Sequence, residues 1–231
     1  MDHKRLTLFA GHYGSGKTNI AVNYALLLAA EGKKVCIADL DIVNPYFRTK
    51  DSAKELEAAG IDLISPQFAN SNVDLPALPA EAYRLVTDRQ TYGIMDIGGD
   101  DRGAYALGRY VPSILEENNY RMIFVANCYR PLTRTPEEAM EVMHEIEEAC
   151  KLRFTDIINN SNLGPETTVE TVLSSQSYMD ALSRLSGLPI FATTAVAEVA
   201  KELPEPVIPL QLQEKYFDLP SQKPSNRPLW G

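Results

Sequence analysis

Short apolar runs alternate with stretches whose apolar positions recur every three or four residues, and this alternation fills most of the chain. The runs at 6–10, 34–39, 92–96, 121–126, 156–159 and 188–191 read as buried strands, and 61–65 as a shorter one. The stretch 19–31 reads as a helix, with Ile20, Tyr24, Leu27 and Leu28 on one face and Gly32 as its stop signal. Further helical stretches fall near 51–59, 80–88, 104–117, 136–151 and 169–186. No internal repeat is present. Strand and helix in alternation predict an α/β fold of three layers, a mainly parallel central sheet with helices on both faces. From Pro204 onward the pattern ends. That tail holds six of the fifteen prolines, which exclude regular helix and central strand. The expected organisation is therefore one domain over 1–203 and a Pro-rich extension over 204–231, extended along the surface or loosely attached. Trp230, the only tryptophan, sits in that tail and reads as part of a loosely packed end.

Between the first strand and the first helix stands Gly11-His12-Tyr13-Gly14-Ser15-Gly16-Lys17-Thr18. It fits the phosphate-binding pattern G-x-x-x-x-G-K-[ST] at every fixed position, in the strand–loop–helix context the pattern requires. Glycines let backbone N–H groups turn inward around a phosphate, and the helix N-terminus adds its positive dipole. Gly11, Tyr13, Gly14, Ser15, Gly16, Lys17, Thr18 and Asn19 are thus the expected nucleotide cradle of a P-loop NTPase. Lys17 reaches the β- and γ-phosphates as a catalytic cation, and the Thr18 hydroxyl holds Mg²⁺.

Phosphoryl chemistry also needs carboxylates at the C-terminal ends of neighbouring strands, to hold the metal and aim the attacking oxygen. Two places offer them. Asp39-Leu40-Asp41 follows the second strand, and its alternation puts Asp39 and Asp41 on one side. Asp96-Ile97-Gly98-Gly99 ends a later strand, where Asp96 contacts the Mg²⁺ shell and the Gly99 N–H faces the γ-phosphate. Net charge is −9, the pI is near 4.9 and no basic run occurs, which argues against nucleic acid and anionic membrane as partners. No stretch approaches the length of a membrane span, and the N-terminus leads directly into the first strand without room for a signal peptide. Cys36, Cys128 and Cys150 lie far apart and read as reduced thiols of a cytoplasmic protein.

Together these three segments (the glycine loop, the strand 35–39 ending in Asp39-Leu40-Asp41, and 94–99) resemble the MinD/ParA-type ATPases of the CobQ/CobB/MinD/ParA nucleotide-binding family. The likeness spans roughly 5–203 and includes 187–191 and 196–200 as last core strand and following helix. It implies Mg²⁺-dependent ATP binding and hydrolysis. Lys17 and Thr18 would hold phosphate and metal, Asp39 would support the metal shell, Asp41 would orient the attacking water, and Asp96 would be the second metal-side carboxylate. It also implies a conformational or dimerisation switch acting on a protein partner, including a nucleotide-dependent homodimer. One departure is His12, where many members carry a lysine that reaches across the dimer. The paired cysteines of cluster-bearing relatives and a basic amphipathic membrane helix are both missing.

Base choice falls to Asn159 and Asn160, after the strand ending near Ile158. Guanine readers commonly place N-K-x-D here, and no aspartate occupies that position; asparagine amides suit adenine, which favours ATP. Asn162 either joins them or only shapes the turn. Arg48 and Arg102 lie just past the two carboxylate sites, as phosphate-stabilising groups or as surface ion-pair partners. The competing function is an ATP-dependent kinase or ligase of the dethiobiotin or cobyrinate type, whose anionic substrate would meet Arg48, Arg84 and Arg89.

Overall fold

In the computed structural model, which describes residues 2–40, 52–64, 80–99, 101–204 and 206–212, eight strands form one sheet in which every pairing is parallel. The strands are β1 (Leu6–Ala10), β2 (Val35–Leu40), β3 (Asp62–Ile64), β4 (Tyr92–Ile97), β5 (Tyr120–Ala126), β6 (Asp156–Asn159), β7 (Ile190–Val196) and β8 (Val207–Leu210). Their order is β3-β2-β4-β1-β5-β6-β7-β8, which puts β1 at the centre between β4 and β5. β1 and β2 are buried at every position, as strands covered on both faces must be.

Side-chain alternation divides the core into two layers. Leu6, Leu8 and Ala10 of β1, with Met95 and Ile97 of β4 and Phe124 and Ala126 of β5, face α4 (Asp101–Gly108), α5 (Val111–Glu117), α6 (Pro136–Cys150) and α8 (Gln176–Ser186). Phe9, Ile37, Ile94, Val125 and Ile158 face the other way, onto α1 (Lys17–Ala30) and α2 (Ala53–Ala58). This is the expected three-layer α/β/α architecture. Remaining short helices are α3 (Arg84–Thr87), α7 (Val169–Ser174) and α9 (Ala197–Ala200).

Three elements differ from the sequence reading. The helix expected over 104–117 is two, α4 and α5, because Pro112 opens a new helix at its first turn. The helix expected over 169–186 breaks at Ser175, whose hydroxyl turns back to the Val172 carbonyl at 2.6 Å. The Pro-rich stretch contributes β8, so the sheet runs past residue 203; Pro209 is tolerated because β8 is an edge strand. Among the described residues no helix is long and apolar enough to cross a membrane. The cysteines are free; burial pushes the Cys36 thiol up to about 11 and raises Cys150, whereas Cys128 is only half-buried. Trp230, Asp41, Asn44 to Arg48, the loop 66–79 and Asp100, with the side chains of Asp101 and Arg102, lie outside the described residues.

Candidate functional site

β1 delivers the chain to the C-terminal edge of the sheet at Ala10, and residues 11–16 turn back into α1. Gly16 sits at φ 92°, in the left-handed region, as the residue before the helix. The N-cap residue Gly16 offers no side chain to cap α1 and no acidic residue lies in its first turn, whereas α6 and α7 both carry capping boxes. The first-turn N–H groups of α1 therefore keep their positive end toward the loop, the arrangement that favours an anion. Lys17, the first residue of α1, is buried and its Nζ donates to the His12 carbonyl at 3.1 Å, spanning the loop. The same carbonyl accepts the Ser15 N–H at 3.1 Å. Tyr13 and Gly14 form the exposed crown, and Thr18 and Asn19 are half-buried in the first helical turn. The Ser15 hydroxyl and the His12 Nδ1 are both buried without a hydrogen-bond partner among the described residues. Buried polar atoms without partners cost about 1–3 kcal/mol each, so a loop retaining two of them is built to be completed by a polar ligand.

On one flank of β1, parallel pairing sets Asp96 of β4 opposite both Phe9 of β1 and Asp39 of β2. Asp39 and Asp96 are 2% and 1% exposed. Their neighbours Ile37 and Ile94 face α1, so alternation places both carboxylates on the α1 side, where the phosphate loop turns. One turn of chain later, Gly99 lies against the loop itself. A Cβ there would stand 2.8 Å from the Tyr13 nitrogen and 3.0 Å from Lys17 Nζ, an approach only glycine permits. Gly99 thus packs against Lys17, and Asp39 and Asp96 stand in register on the α1 side of the sheet; Asp41, the expected water-orienting residue, lies outside the described residues.

The other flank is tied to the loop by side-chain hydrogen bonds. Asn159 and Asn160, expected to read a base, are buried and hydrogen-bonded to protein groups. Asn159 donates from Nδ2 to the Ser175 hydroxyl at 2.9 Å and accepts the Ser161 N–H at 3.0 Å. Asn160 donates from Nδ2 to the Ser15 carbonyl at 2.6 Å and accepts the Thr194 hydroxyl at 2.7 Å. A Cβ on Gly16 would fall 2.2 Å from that Nδ2, so the second loop glycine is required by the asparagine that braces it. Asn162 shapes the turn, donating to the Asn160 carbonyl and accepting from the Gly164 N–H. Loop bracing carries no composition signal, because an asparagine that holds a backbone carbonyl and one that reads a base look alike in sequence.

Arg84 and Arg89 precede β4 and so stand at the N-terminal edge of the sheet, opposite the phosphate loop; Arg84 pairs with Asp62 at 3.3 Å. An anionic substrate held there would be far from the nucleotide edge.

The family described as the CobQ/CobB/MinD/ParA nucleotide-binding domain matches residues 6–165. No match was found among curated protein sequences. Among solved structures the chain is similar to the cell division protein FtsY of Thermotoga maritima, at 18% identity and a TM-score of 0.54, covering 82% of this chain and 60% of that one. It is also similar to FtsY of Mycoplasma mycoides (18%, TM-score 0.51, 81% and 58%). A third likeness is to the signal recognition particle receptor FtsY of Elizabethkingia anophelis in complex with GDP (15%, TM-score 0.50, 82% and 57%). The chain thus spans about three fifths of the length of these structures, which share its fold. With the family matching most of the sheet and the whole phosphate loop, the chain belongs to the CobQ/CobB/MinD/ParA nucleotide-binding domain family.

Proposed function

We propose that this protein binds and hydrolyses a nucleoside triphosphate, ATP, with Mg²⁺, and that the bound state switches its conformation or its self-association for a protein partner in the cytoplasm. The observation that carries this reading is the packing of Gly99 against Tyr13 and Lys17 while Asp39 and Asp96 stand in register beside them. Backbone packed this closely on the phosphate-loop lysine supports a γ-phosphate-responsive role for Gly99. Thr18, Asp39 and Asp96 are the oxygen donors that would hold Mg²⁺, which when bound neutralises charge on the transferring phosphate. Lys17 contributes the fixed cation, and Asp41 is proposed to aim the attacking water. The choice of ATP rests on the segment Asn159-Asn160-Ser161-Asn162, which holds no aspartate where guanine readers commonly carry N-K-x-D.

Two measurements test the proposal. Phosphate release from ATP and from GTP, with Mg²⁺ and with EDTA, should show Mg²⁺-dependent turnover favouring ATP. Solution mass by light scattering, apo, with Mg-ADP and with Mg-ATP on Asp41→Ala, should change only with ATP. Turnover indifferent to Asp41→Ala, or GTP preferred over ATP, overturns the corresponding part.

A further inference from the structure

The loop between β5 and α6, residues 127–135, takes no part in the nucleotide site described above, yet it holds the most unusual polar groups of the molecule. It leaves the sheet beside the phosphate loop: Ala10 pairs with Phe124, and Gly11 packs against Val125. Asn127 is fully buried, and its capacities are nearly exhausted. Its carbonyl accepts the Arg130 N–H at 3.2 Å and the Thr133 hydroxyl at 2.9 Å. Its Oδ1 accepts the Tyr129 N–H at 3.1 Å, which fixes the amide orientation because the alternative would set two donors face to face. Nδ2 is thereby left as a buried donor with no acceptor among the described residues.

Three residues on, the Nε of half-buried Arg130 is likewise buried without an acceptor, and its guanidinium forms no ion pair, among the described residues. Among the described residues Arg5, Arg84, Arg121 and Arg153 pair with carboxylates, whereas Arg89, Arg109, Arg134 and Arg184 share the unpaired state of Arg130. Glu138, an acid of the following helix, is committed to the Arg134 and Thr135 N–H groups at the start of α6. The Tyr178 hydroxyl, beside Cys128, is a third buried group with no partner, and burial raises its pKa so that it keeps its proton. The loop is held rigidly around these groups. Tyr129 reaches the Thr171 carbonyl at 2.8 Å, Cys128 N–H reaches the Ser161 hydroxyl at 3.2 Å, and Leu132 is held at φ 63°. A leucine in that conformation costs about 1–2 kcal/mol and persists only where surroundings impose it.

Two buried donors three residues apart, the Asn127 Nδ2 and the cationic Arg130 Nε, both without an acceptor among the described residues, call for an acceptor with negative charge. We propose that Asn127 and Arg130 form a subsite for a small ligand bearing a carboxylate or phosphate, bound beside the nucleotide and separately from it. The subsite deepens the nucleotide reading by supplying a second ligand, and it takes the place that Arg84 and Arg89 fail to fill.

The test is isothermal titration of inorganic phosphate and of malonate into the full chain saturated with Mg-ADP, against chloride at equal ionic strength. One equivalent of one anion should bind, and which anion does so distinguishes phosphate from carboxylate ligands. Arg130→Gln should weaken it at least tenfold. Asn127→Asp, which keeps the acceptor for Tyr129 N–H, should abolish it; should that variant misfold, Arg130→Gln decides alone. Mg-ADP affinity should stay unchanged in both. Binding of neither anion, binding untouched by Arg130→Gln, or an equal loss of Mg-ADP affinity would overturn the proposal, the last by assigning Arg130 to the nucleotide's own phosphates. Lys17→Ala separates the two readings, since anion binding that depends on Arg130 should survive it even if no nucleotide binds.

Discussion

The two flanks of β1 approach the same loop by opposite means. β4 arrives with a bare backbone: Gly99 comes within 3.0 Å, by its virtual Cβ, of Lys17 Nζ, and the carboxylates of Asp39 and Asp96 sit behind it. β6 and β7 arrive with side chains, Asn160 and Thr194, that grip the Ser15 carbonyl and each other. The first flank brings backbone and buried carboxylates up to the loop. The second spends its hydrogen bonds on protein. The difference separates sensing from bracing, and it predicts that damage on the two sides should look different in experiment.

Lys17 belongs to both sides and its loss should be the most severe. Lys17→Ala removes the buried cation and its bridge to His12, and charge-assisted bonds of this kind are worth about 1.5–3 kcal/mol each. Nucleotide affinity measured by titration should fall about a hundredfold or more. Gly99→Ala should come next and should split binding from chemistry. The added methyl collides with the Tyr13 nitrogen, so hydrolysis should drop about a hundredfold, the cost of losing one oriented backbone donor, while ADP affinity stays within about threefold. Equal loss of ADP binding would erase the distinction between the flanks on this side.

Asn160→Ala attacks the brace. It leaves the Ser15 carbonyl and the Thr194 hydroxyl without their partner, a cost of about 1–3 kcal/mol in unfolding free energy by denaturant titration. Affinity should fall about tenfold for ATP and GTP alike, because the asparagine holds the loop and touches no base. A change in the ATP:GTP ratio would return Asn160 to base reading.

What could be read in advance divides along the same line. The phosphate loop, Asp39, Asp96 and Gly99 were legible because each is a short local pattern at a strand end, and strand ends follow from apolar runs. The brace was not, because Ser15 and Asn160 are 145 residues apart and the bond between them depends on strand order. The breaks at Pro112 and Ser175 were missed where an apolar period continued across a local stop. β8 was missed because its prolines argue against a central strand, and only the topology reveals that it lies at an edge.

The smallest effect sharpens the comparison from outside the site. Asn23, on α1 and 8% exposed, mimics a backbone partner: Nδ2 donates to the Gln211 carbonyl at 2.9 Å while Oδ1 accepts the Gln211 N–H at 2.8 Å. The helix that starts at Lys17 therefore holds the chain just beyond β8. Two neutral hydrogen bonds contribute about 1 kcal/mol each, and β8 keeps its pairing with β7 and the burial of Ile208 and Leu210 when they are lost. Asn23→Ala should thus raise hydrogen exchange at Gln211 about tenfold and lower unfolding free energy by about 1–2 kcal/mol. Nucleotide affinity should stay within about twofold, because the helix N-terminus six residues earlier is fixed by Gly16 and Asn160 rather than by the tail. A larger loss of affinity would mean that bracing extends through α1 to the edge of the sheet, and that the quiet flank is the longer of the two.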